Sequence, residues 1–129
     1  MKLADYVSMP GSKLGGGMKT GTGDDRYVFD EAAGWACVID GATDVGPIRV
    51  FGRAETDAAR FAELFAAELL AAPVQANETP SAYFGRLLPR LRAAVEKEMK
   101  VPLADAPLAS YPTAAATWVR VREGKVEGA

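Results

Sequence analysis

A chain of 129 residues, 49% hydrophobic and 25% charged, has the length of one domain and the composition of a globular one, which excludes disorder over its whole length. A net charge of −2 supplies no basic surface of the kind nucleic acid demands. With no His and one Cys, the chain has no Ser-His-Asp triad, Cys-His dyad, His-ligated metal, zinc cluster or intrachain disulfide, so any chemistry must use carboxylates, hydroxyls, Lys, Arg or the backbone.

The first residues carry an early acid, Asp5, and no apolar core of signal-peptide length. No segment approaches the roughly 20 apolar residues that a membrane span requires. The expectation is a cytoplasmic protein with neither a membrane nor a nucleic-acid partner. Leu3 to Ser8 reads as a short strand. Pro10 to Gly23 reads as a loop, with Gly at 11, 15, 16, 17, 21 and 23. It contains no phosphate-cradling glycine pattern in a strand-to-helix context, and Lys13 and Lys19 read as solvated.

Arg26 to Asp30 reads as a strand and Glu31 to Gly34 as a tight turn. Trp35 to Ile39 is a continuous apolar run ending at Asp40-Gly41, the pattern of a strand buried on both faces. Cys37 reads as an inert core thiol, and Trp35 and Trp118 as packing residues. Glu55 to Ala72 predicts a helix with Phe61, Leu64, Phe65 and Leu69 on one face, stopped by Pro73. Thr79-Pro80 starts a second helix, as N-cap and first helical residue. Its apolar face runs from Tyr83 to Met99, and Pro89 predicts a kink or break. Val101 to Pro112 reads as a loop, Thr113 to Arg122 as a strand and Glu123-Gly124 as a hairpin turn. Little of the partner strand from Lys125 remains before the last residue. The expectation is an open ladder edge and one partial domain over residues 1–129, the N-terminal part of something longer and inactive by itself.

Acids concentrate between Asp24 and Asp44. Asp40 follows five apolar residues, and a buried carboxylate is costly unless paired. Without His, the natural partner is a hard cation, which prefers oxygen ligands. Gly41 lets the backbone approach closely enough for its carbonyl to add a ligand. Pairing the two strands across the Glu31–Gly34 turn puts residue 25 opposite residue 40. Asp24, Asp25 and Asp40 are then expected to converge at one sheet end, a site for Mg or Mn.

Gly23-Asp24-Asp25-Arg26, followed by Val38-Ile39-Asp40-Gly41-Ala42-Thr43, resembles the opening of the metal-dependent serine/threonine protein phosphatases of the PPM, or type 2C, family. A bacterial branch is similar further, with Ile-Asp-Gly-Ala-Thr followed by a helix. Pro112-Thr113-Ala114-Ala115 and Val119 to Val126 look like the family's next strand and hairpin. The resemblance implies an α+β fold, a four-layer α-β-β-α sandwich with two antiparallel sheets. It implies hydrolysis of phosphoserine and phosphothreonine on protein substrates, with two Mg or Mn ions activating a water for in-line attack. By the same resemblance Asp40 bridges the metals, the Gly41 carbonyl binds one, and the catalytic residue Asp25 hydrogen-bonds metal-bound water. Asp24, where the family has Glu or Gln, is counted with the metal-binding residues. Gly23 stands in place of the family's Asn, and Thr20 in place of its phosphate-binding Arg, so the phosphate-binding residue is unassigned. The family's later aspartates have no counterpart before residue 129. That leaves a non-catalytic pseudophosphatase or regulatory binding module as the alternative. A haloacid-dehalogenase-type phosphohydrolase ranks below both, because its Asp-x-Asp would need an acid where Ala42 stands.

Overall fold

The computed structural model describes residues 23–42, 46–53 and 55–129. The strand expected at Leu3 to Ser8, the glycine-rich segment up to residue 22 with Lys13, Lys19 and Thr20, and Thr43 and Asp44 lie outside the described residues. Four strands form one antiparallel sheet in chain order: β1 (Arg26–Asp30), β2 (Trp35–Gly41), β3 (Ala114–Arg122) and β4 (Lys125–Gly128). Between β2 and β3 the chain makes two helices, α1 (Asp57–Ala71) and α2 (Pro80–Glu98). Both cover the same face of the sheet, giving an α+β arrangement of two layers among the described residues.

The turns explain the pairing. Between β1 and β2, Asp30 Oδ1 accepts the Ala33 N–H at 2.9 Å, and Gly34 leaves the turn at φ 69°. Between β3 and β4, Glu123 and Gly124 both have positive φ, 51° and 74°, as a two-residue turn matched to strand twist requires. The partner strand is longer than the sequence suggested. β4 pairs over its four residues, and Ala129 continues the ladder by exchanging both backbone hydrogen bonds with Trp118.

Each helix starts at a threonine cap. Thr56 accepts the Ala59 N–H at 3.0 Å, and Thr79 accepts the Ala82 N–H at 3.2 Å. α2 runs through Pro89 without the expected break. Pro89 and Gly85 are both exposed, so the carbonyl that loses its intrahelical donor opens to solvent.

The sheet's period of two sorts β2 into unlike faces. Trp35, Cys37 and Ile39 are buried under the helices, while Val38 is 59% exposed and Ala36 half-buried. Among the described residues the apolar run is therefore covered on one face, not both. Trp35 and Trp118 are packing residues as expected, and α2 docks through Tyr83 and Phe84, whose rings stand 5.6 and 6.1 Å from that of Trp118. Cys37 is a buried thiol whose pKa burial raises to about 11, which leaves it unreactive. Arg120, also buried, donates to the carbonyls of Gln75 and Glu78 and to the Glu127 carboxylate, fastening the α1–α2 connection to the β3–β4 hairpin.

Candidate functional site

The β1–β2 register sets Arg26 opposite Ile39. Continued past the end of β1, that register would set Asp25 opposite Asp40 and Asp24 opposite Gly41, the pairing read from the sequence, and Asp24 does lie against Gly41. Alternation then separates the acids. Ile39 and Gly41 are buried on the helix face, so Asp40 between them is exposed on the open face. Asp25 is exposed as well, between half-buried Asp24 and Arg26. Directly opposed residues on one face have Cβ atoms about 4.5–5.5 Å apart. Among the described residues neither carboxylate of this pair has a hydrogen-bond or ion-pair partner.

Asp24 belongs to the other face. A Cβ added to Gly41 would collide with the Asp24 carbonyl oxygen and lie 3.0 Å from the Asp24 Cβ. The glycine is thus required sterically, whatever its carbonyl does. Asp24 Oδ1 accepts a hydrogen bond from the Thr56 hydroxyl, the same hydroxyl that caps α1. Arg26 reaches back along its own strand. Its Nη1 donates to the carbonyls of Gly23 at 2.6 Å and Asp25 at 2.7 Å, and its Nη2 to Glu63 on α1 at 3.2 Å. Burial pushes the Glu63 carboxyl up, but hydrogen bonds from Arg60 and Arg26 outweigh it and hold the group below its ordinary range. Arg60, bonded first to Glu98 and then to Glu63, is held fully charged. The segment carrying Asp24 and Asp25 is thereby moored to α1 by Thr56 and by the Arg26–Glu63 pair.

Two sequence expectations change. Asp40 is not a buried carboxylate, because the pleat turns it outward, so its cost argument does not apply. The three acids differ in setting: Asp25 and Asp40 are exposed, while Asp24 is half-buried and bonded to Thr56. Among the described residues no group of three or more Asp, Glu, Cys or His is placed to hold a metal ion.

The sequence reading missed the supports. Thr56 and Asp57 open α1, and a Thr-Asp pair at a helix start was a legible cap signal. The buried Asp57 carboxylate accepts the backbone N–H of Val50 at 2.5 Å and of Phe51 at 3.4 Å, with Arg49 at 3.7 Å, and so fixes the loop before the helix. The reach from Arg26 to Glu63 left no local signal.

No protein-family model, curated protein or solved structure matches this chain. No described helix is long and apolar enough to cross a membrane.

Proposed function

We propose that the chain holds a hard divalent cation, Mg or Mn, at the Asp25–Asp40 pair and serves metal-dependent hydrolysis of phosphoserine and phosphothreonine on proteins. The observation that carries this is the register. Continued one residue past Arg26–Ile39, it would bring the exposed Asp25 and Asp40 side by side, and like charges so placed repel unless a cation lies between them. The donor set is all oxygen, which suits these ions. Asp25 and Asp40 would bind or orient the ion's shell, with the Gly41 carbonyl as a further donor. When bound, such a cation activates water and neutralises charge on a phosphoryl group. In this reading Asp25 would take a proton of an attacking water, and Asp40 would offset cation charge. The apolar open face of the sheet supports the sandwich reading, since a second sheet is what ordinarily covers such a face.

A non-catalytic binding module is the second reading. The separation of Asp24 from the pair favours it, because two carboxylates give a smaller ligand set than a two-ion centre needs. Titrating Mn and Mg while assaying an aryl phosphate and a phosphopeptide decides between the two. Metal-dependent turnover abolished in Asp40→Asn establishes the enzyme. Cation binding without turnover establishes the module. No cation binding in the unaltered chain removes the cation site and leaves the module.

A further inference from the structure

We infer that Asp24 is a positioning residue and not a ligand: its hydrogen bond from Thr56 holds the 24–25 segment against Gly41 so that Asp25 faces Asp40. Three observations meet here. The Asp24 Cβ and carbonyl lie on the helix-facing side, against the space a Gly41 side chain would need. The Asp24 carboxylate is engaged by the Thr56 hydroxyl. That hydroxyl is itself fixed by the Ala59 N–H in the first turn of α1, so the donor cannot swing without loosening the cap. Asp24 therefore carries the placement of α1 to the residues that lead into β1 at Arg26. With Asp24 half-buried and held toward the helix, Asp25 beside it is exposed. Arg26, bonded to the carbonyls on both sides of Asp24, keeps the segment from rotating.

The inference rests on the cation proposal for its second measurement only. The first measurement is metal-free: backbone amide shifts of residues 24, 25, 40 and 41 in the ¹⁵N-labelled chain. Asp24→Ala and Thr56→Val should displace these amides, whereas Asp24→Asn and Thr56→Ser, which keep the acceptor and the donor, should leave them near their original positions. Asp24→Ala leaves the Thr56 cap of α1 intact, so it remains readable if Thr56→Val is poorly folded. The second measurement is Mn affinity. Loss of a supporting contact typically weakens metal binding by about 10–100-fold. That loss is expected in Asp24→Ala and Thr56→Val. In Asp24→Asn the loss should be no more than about threefold, because only a screened charge is removed. Amides unmoved by Asp24→Ala would overturn the inference. So would Asp24→Asn losing Mn as severely as Asp24→Ala with amides unchanged, which would make Asp24 a ligand. If the unaltered chain binds no Mn, the cation proposal falls and the amide shifts alone decide the positioning role.

Discussion

The two faces of the sheet are built from similar residue types and treated differently. Toward the helices stand Val28, Trp35, Cys37, Ile39 and Trp118, none more than 8% exposed. On the other side stand Tyr27, Phe29, Val38, Val121 and Val126, between 37% and 74% exposed. Hydrophobicity alone does not tell these sets apart. A second layer does, and among the described residues only the helix side has one. The acids divide as well: Asp24 is half-buried and bonds to Thr56, while Asp25 and Asp40 are exposed.

The largest expected difference sets neighbours in β2 against each other. Ile39→Ala removes a fully buried side chain and should cost about 2–5 kcal/mol. Val38→Ala, on the open face, should cost within about 0.5–1 kcal/mol, the range of surface substitutions with some loss of strand propensity. Urea denaturation of both variants measures the gap. Equal costs would mean that the open face is covered in solution, which is the result the sandwich reading prefers if a second layer is present.

The acids give the next contrast. Asp40→Asn keeps shape and removes a charge, and turnover should fall by at least about 100-fold, the scale of losing one electrostatic contact to the reacting group. Stability should change little, since Asp40 is exposed and has no described partner. A Mn-dependent rate unchanged by the substitution would reject Asp40 as a ligand.

The covered side should carry the acid sensitivity. Arg86 donates to Glu78 at 2.8 and 3.0 Å and the Gln75 N–H adds a bond at 3.0 Å, which together draw the carboxyl from 4.5 down to about 2. A pKa lowered by folding means the unfolded chain takes the proton first. The contribution is complete above pH 4.5 and is lost as pH falls toward 2. Glu78→Gln should lower the urea midpoint at neutral pH, and its difference from the unaltered chain should shrink through that window. A difference constant with pH would show that the pair adds nothing through charge.

Local features were legible because each rests on a few adjacent residues. Thr79-Pro80 announced a helix start, Glu123-Gly124 a turn, and the span from Arg26 to Gly41 a hairpin whose register came out as read. What escaped needed the third dimension. Five apolar residues from Trp35 suggested burial on both sides, but which face is covered depends on helices that begin at residue 57. The same applies to the acids. Adjacency in sequence grouped Asp24 with Asp25, while the distant Thr56 claimed one of them and left the other exposed. Pro89 broke nothing because its carbonyl partner faces solvent, a fact of docking that no local pattern records.

The smallest expected effect lies on the outer surface of α2. Gly85 is exposed, sits in regular helix, and a Cβ placed there meets no atom within 4 Å beyond the backbone of its own helix and its chain neighbours. Gly→Ala at such a position restricts the unfolded chain and removes none of the native contacts, so Gly85→Ala should stabilise the fold by about 0.5–1 kcal/mol. Its neighbour in the helix ladder sets the limit. Pro89 already denies the residue 85 carbonyl its intrahelical donor, and the new methyl group partly shields that carbonyl from water. The gain should therefore fall at the lower end of the range in the unaltered chain and rise toward the upper end in a Pro89→Ala background. Denaturation of the two single variants and the double variant measures the coupling. Strict additivity would mean that the residue 85 carbonyl is satisfied independently of solvent, so that exposure of this helix surface is not what accommodates Pro89.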